Sequence, residues 1–121
     1  MSVVLIVDDS PTELHQFQNM LEKHGFSTLV ADSGEEGLRI ARSSKPDCIL
    51  MDVVMPGMNG FQATRKLTRD PETGSIPVIM ITSKDQETDR IWGMRQGAVE
   101  YIVKPVSADD LVAKINAVMA A

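Results

Sequence analysis

Five positions just past the ends of apolar runs carry side chains that could do chemistry. Asp8 and Asp9 follow "VVLIV" (3–7), Asp52 follows "DCILM" (47–51), Thr82 follows "VIMI" (78–81), and Lys104 follows "YIV" (101–103). The adjacent acids are the most demanding feature. At about 4 Å, in a medium of effective dielectric near 20, two such charges repel by roughly 4 kcal/mol. A cation relieves that repulsion. Asp8, Asp9 and Asp52, with water and carbonyl oxygens, make a hard-oxygen site for Mg²⁺, with Mn²⁺ as an alternative. Asp52, already ionised at pH 7, needs no general base and can act as a nucleophile that forms an acyl phosphate. The Lys104 ammonium would neutralise charge on the phosphoryl oxygens, and the Thr82 hydroxyl would hydrogen-bond one of them.

Each residue also has a plainer reading. Asp8 or Asp9 could cap a helix, although Ser10 suits that role better. Asp52 could open the turn-rich loop "DVVMPGMNG". Thr82 could be an ordinary β-branched strand end, and Lys104 a solvated lysine. Five separate coincidences at equivalent positions are harder to accept than one shared site.

The elements that must position these groups alternate regularly. The runs at 3–7, 26–31, 47–51, 78–81 and 101–103 have strand length, and most are apolar on consecutive residues. That pattern suits strands covered on both faces, as in a parallel sheet. Between them lie helix signals. Ser10, Pro11 and Glu13 give an N-cap, a proline at the first helical position and a capping-box acid. Leu14, Phe17 and Leu21 follow at helical spacing, and Gly25 ends the segment. Ser33 and Glu36 repeat the box before a second helix. A third helix is predicted from Gly60 to about Leu67, and a fourth from about Thr88 to Gln96. The fifth starts at Ser107, with Leu111, Ile115 and Val118 on one face. Five βα units imply one α/β domain over residues 1–121. We expect a flavodoxin-like, doubly wound (βα)5 fold with strand order 2-1-3-4-5, whose ligands bind at the carboxyl ends of the strands. All five polar positions then share one rim.

Composition excludes several classes. The 121 residues suit one domain with a real core. No apolar stretch approaches the ~20 residues that span a bilayer, and no signal peptide is apparent. A net charge of −5 without a basic block disfavours nucleic acid and anionic membranes as partners. Cys48 is the single cysteine, in the apolar run "CILM", and reads as a small buried hydrophobe. The expectation is a soluble, cytoplasmic monomer.

The segments "VDD" (7–9), "MDVVMPGMNG" (51–60), "ITS" (81–83) and "VKP" (103–105) resemble the receiver domain of response regulators, the CheY-like family of two-component signalling. The resemblance spans the whole chain in order. It implies that Asp52 is the phospho-acceptor, and that Asp8, Asp9, Asp52 and the backbone carbonyl of Val54 bind Mg²⁺. It also implies that Thr82 and Tyr101 form a switch pair and that Lys104 and Pro105 are joined by a cis peptide bond. The phosphoryl donor would be the phosphotransfer domain of a histidine kinase. With no output domain expected, the signal would pass to an unknown motility-related partner. A narrower likeness, over "LIVDDSPTEL" and "SIPVIMITSKDQETDRIWGMRQGA", is to stand-alone regulators of type IV pilus twitching motility. The rival readings meet specific obstacles. A haloacid-dehalogenase-type phosphatase needs a second acid two residues after its nucleophile, where this chain has Val54. A flavodoxin-type cofactor site needs a phosphate cradle after strand 1, where "DDSPTEL" brings acids.

Overall fold

The computed structural model describes residues 2–120. Five βα units follow in order: β1 (Val3–Val7), α1 (Pro11–Glu22), β2 (Ser27–Ala31), α2 (Gly34–Ser44), β3 (Cys48–Met51), α3 (Gly60–Arg69), β4 (Val78–Thr82), α4 (Glu87–Arg95), β5 (Glu100–Val103) and α5 (Ala108–Ala120). All pairings are parallel and the order is β2-β1-β3-β4-β5, as expected. Alternate residues of each strand serve opposite layers, which is why the runs are apolar throughout. Val4, Ile6, Leu50, Ile79 and Ile81 pack with Phe17 and Leu21 of α1 and with Leu111 and Ile115 of α5. Leu5, Val7, Ile49, Met51 and Val78 face Ala41 of α2 and Ala63 and Leu67 of α3.

Local details depart from the sequence reading in instructive ways. Ser10 does cap α1, its Oγ accepting the Glu13 N–H at 3.3 Å. The Glu13 carboxylate, however, goes to Lys104 rather than back to the cap, so the box is only half made. Ser33 likewise accepts the Glu36 N–H at 3.2 Å, while Glu36 pairs with Arg39. A complete box stands at α3, where Asn59 and Gln62 exchange side-chain to backbone bonds of 2.9 Å each. That helix runs two residues beyond Leu67, and Thr68 anchors its end by donating to the Gln96 carbonyl at 2.7 Å. Among the described residues, no helix is long and apolar enough to cross a membrane.

Cys48 is fully buried in β3, and burial pushes its thiol up to about 12. At pH 8 its thiolate is roughly a thousandfold scarcer than at an ordinary cysteine. Iodoacetamide should therefore label the native chain at least that much more slowly than the urea-unfolded chain. Comparable rates in the two states would contradict the burial.

Candidate functional site

Backbone bonds carry the sheet ladder one residue past β1, β3 and β5 and so fix the rim. The Asp8 N–H donates to the Ala31 carbonyl at 3.1 Å, the Asp52 N–H to Val7 at 2.9 Å, and the Lys104 N–H to Thr82 at 2.9 Å. Three positions distant in sequence thus become neighbours at the carboxyl end of the sheet. Asp8 and Asp52 are buried, at 2% and 7% exposure, although each is an acid. Asp8 Oδ1 accepts the Ser10 N–H at 2.9 Å, and Asp52 Oδ1 accepts the Val53 N–H at 2.8 Å.

Lys104 occupies the centre of this cleft. Its Nζ lies 3.1 Å from Asp8 Oδ2, 2.9 Å from Glu13 and 3.8 Å from Asp52 Oδ1, and sits 6.0 Å from the centroid of the Phe17 ring. The Lys104–Pro105 bond is cis. Burial alone would lower the ammonium's pKa, but Glu13, Asp52 and Asp8 together raise it. Asp52 moves the other way from an ordinary carboxyl. Burial first, and then the charge of Asp8, push it up to about 6, against Lys104, the Val53 N–H and the Thr82 hydroxyl. An acid held so far from its preferred charge state is a candidate for chemistry.

Carboxylate oxygens of Asp8, Glu13 and Asp52 lie within 4.8 Å of one another. Hard, converging oxygen donors of this kind fit a small divalent cation. Asp9, by contrast, is exposed and outside that group of three. Glu13 was legible only as a helix-capping acid, because the S-x-x-E spacing is the same whether the carboxylate folds back or reaches across. Val54 follows in the loop after β3 with its side chain more than half exposed.

Thr82 and Tyr101 are joined through the backbone of one residue, Lys84. Thr82 is fully buried, and its Oγ1 accepts the Lys84 N–H at 3.4 Å. The Tyr101 hydroxyl donates to the Lys84 carbonyl at 2.9 Å. Only 2% of Tyr101 is exposed, packed with Val53, Met80 and Ala98. Burial, and next the charge of Asp89, push its phenol up to about 12. Arg90 lies over the ring at 5.5 Å and donates to the Tyr101 carbonyl at 3.2 Å.

This geometry agrees with the comparisons. The model of the "Response regulator receiver domain" family matches residues 4–116. Over 120 residues the chain is 59% identical to protein PilH of Pseudomonas aeruginosa, covering 99% of both chains. It is also 39% identical over 116 residues to the phosphate regulon regulator PhoB of the same organism, but spans only 51% of that longer protein. Among solved structures, the chemotaxis protein CheY4 of Vibrio cholerae superposes with a TM-score of 0.92 at 29% identity, covering 98% of both chains. The receiver domain of the sensor kinase PA1611 of Pseudomonas aeruginosa matches with a TM-score of 0.92 at 25% identity, covering 99% of this chain and 98% of that one. That structure is described with a magnesium ion coordinated in its active-site cleft. Family model, relatives, strand order and acidic rim agree: this chain belongs to the response regulator receiver domain family.

Proposed function

We propose that this chain is a phosphorylation-switched regulator in which Asp52 accepts a phosphoryl group from the phosphohistidine of a histidine kinase. The observation that carries the reading is the meeting of Asp52 with Asp8 and Lys104 in one small, largely buried cleft. Asp52 Oδ attacks phosphorus, the P–N bond to imidazole breaks, and an acyl phosphate forms as the imidazole takes up a proton. Bound Mg²⁺ would supply charge neutralisation at the phosphoryl oxygens. Asp8, Asp52 and the Val54 carbonyl would hold it, with Asp9 or Glu13 completing the set. Lys104 adds a second positive charge beside the transferring group, and Thr82 offers its hydroxyl to one oxygen. Hydrolysis or transfer to another acceptor resets the switch.

The Lys84 backbone gives the switch its transmission. When the Thr82 hydroxyl turns toward the phosphoryl group, the Lys84 N–H loses its acceptor. The carbonyl of the same residue, in the next peptide plane, holds Tyr101, so Thr82 and Tyr101 are biased together through Lys84. The output face is formed by α4, β5 and α5, where Ile91, Trp92 and Met94 of α4 are exposed. The signal leaves by binding a partner there, or the chain acts as a sink for phosphoryl groups. The likeness to PilH supports placing this regulator in control of type IV pilus twitching motility.

Incubation with acetyl phosphate and Mg²⁺, followed by intact mass measurement, should show one added phosphoryl group, and a chelator should prevent it. Failure to gain the group from either acetyl phosphate or a histidine kinase would overturn the reading. Deleting the gene in its host should alter twitching. Normal twitching would remove the pathway assignment while leaving the switch intact.

A further inference from the structure

Glu13 is the acid of this cleft with the tightest hold on Lys104. Both of its carboxylate oxygens lie 2.9 Å from Lys104 Nζ. Asp8 follows at 3.1 Å, while Asp52, at 3.8 Å, is beyond ordinary hydrogen-bond length. The pair is also sheltered: the Lys104 side chain is 14% exposed and that of Glu13 34%. Glu13 reaches across from the first turn of α1, where its own N–H is tied to Ser10 Oγ. Its backbone is therefore fixed, and its side chain spends its capping capacity on Lys104 instead of on the helix.

We infer that Glu13 is a positioning residue that holds Lys104 just short of hydrogen-bond contact with Asp52 in the unphosphorylated chain and so restrains phosphorylation. The inference rests on Asp52 being the acceptor. A phosphoryl group brings a charge of about −1.5 to −2 to the rim, and Lys104 must leave Glu13 to meet it. The Glu13 carboxylate also repels the incoming group while it favours a cation. Removing it therefore has opposite effects on two measurable quantities, which a merely structural residue would not produce.

Two substitutions separate the contact from the charge. Glu13→Gln keeps the shape and removes the charge, leaving a weaker neutral acceptor. Glu13→Asp keeps the charge but draws it back by one methylene. At saturating Mg²⁺, both variants should gain a phosphoryl group from acetyl phosphate about fivefold faster, as expected for an ion pair of about 1 kcal/mol. Mg²⁺ binding, measured calorimetrically without any phosphoryl donor, should weaken about fivefold in Glu13→Gln and stay near wild type in Glu13→Asp. Trace acetylation by acetic anhydride, read by peptide mass spectrometry against the exposed Lys23, should label Lys104 several-fold faster in both. Equal labelling of Lys104 in all three chains would overturn the inference, as would faster labelling without faster phosphorylation. A wild-type chain that takes no phosphoryl group, but whose Lys104 labelling responds to Glu13, supports the parking and overturns instead the assignment of Asp52 as acceptor.

Discussion

An Asp52→Asn chain gains no phosphoryl group from acetyl phosphate or from a histidine kinase, and without metal it melts higher than wild type. The first result follows from chemistry, because a carboxamide oxygen is a poor nucleophile at the position that must attack. The second follows from electrostatics. Asp52 is pushed up to about 6 in the folded chain, with burial the largest cause and Asp8 the next. A carboxyl raised above its unfolded value stabilises the fold fully below about pH 4, and that contribution is lost as pH rises through about 6. Above pH 7 the folded protein therefore carries an ionised group it would rather keep neutral. Removing the charge should stabilise the chain by about 1–2 kcal/mol after allowance for solvent screening at the cleft mouth, or roughly 5 °C in Tm. The asparagine oxygen can still accept the Val53 N–H, and Lys104 keeps Asp8 and Glu13, so little is lost in exchange. Thermal melts in a chelating buffer at pH 7.5 and pH 4 check this. The difference should be present at the higher pH and vanish at the lower. A variant that melts at or below wild type at pH 7.5 would refute the account of Asp52 as a strained acid.

The strand ends were legible because parallel strands covered on both faces must be apolar throughout. A sudden Asp, Thr or Lys then marks the rim without any knowledge of packing. Asp8, Asp52 and Lys104 meet as that reasoning expects. Glu13 reads as a capping acid because spacing fixes where a helix begins but not where a long carboxylate points; the Ser10 N–H that would take it already donates to Asp8, and the Lys104 ammonium draws the carboxylate across. The last two residues of α3 leave no signal because Thr68 and Arg69 extend no apolar stripe; Gln96, 28 residues away, supplies the anchor for Thr68. Tyr101 reads as a half-buried aromatic at a strand start. Its near-complete burial depends on α4 lying close, and that closeness depends on Gly93, where an added Cβ would stand 2.7 Å from Met80 Sδ and 3.0 Å from the Tyr101 ring. Partners set by tertiary contact leave no periodic trace in the sequence.

Gly60→Ala is expected to be the most damaging small substitution near the site. In sequence, Gly60 is merely a permissive residue at the start of α3. In the fold it is where the helix touches the chain that carries Asp52. A Cβ there would lie 2.0 Å from the Asp52 carbonyl oxygen, 2.7 Å from Val53 Cα and 2.8 Å from the Asp52 carbonyl carbon. These are backbone atoms, so no rotamer change relieves the overlap. The Gly60 N–H also donates to the Val53 carbonyl at 2.9 Å, holding the two segments together at the point of contact. Alanine's better helix propensity returns at most about 1 kcal/mol. Overpacking against backbone should cost about 3 kcal/mol or more, enough to lower the urea midpoint substantially. Any relief must move α3 or the Asp52 peptide, and with it the carboxylate relative to Asp8 and Lys104, so phosphorylation should fall in the molecules that remain folded. Asn59→Ala supplies the contrast. It removes the side-chain acceptor for the Gln62 N–H, costing about 1 kcal/mol, yet leaves the contact between Gly60 and Asp52 intact. That variant should be less stable but phosphorylated at the wild-type rate. If Gly60→Ala matches it in both stability and phosphorylation, the helix start does not hold Asp52 in place, and the rim is positioned by the strands alone.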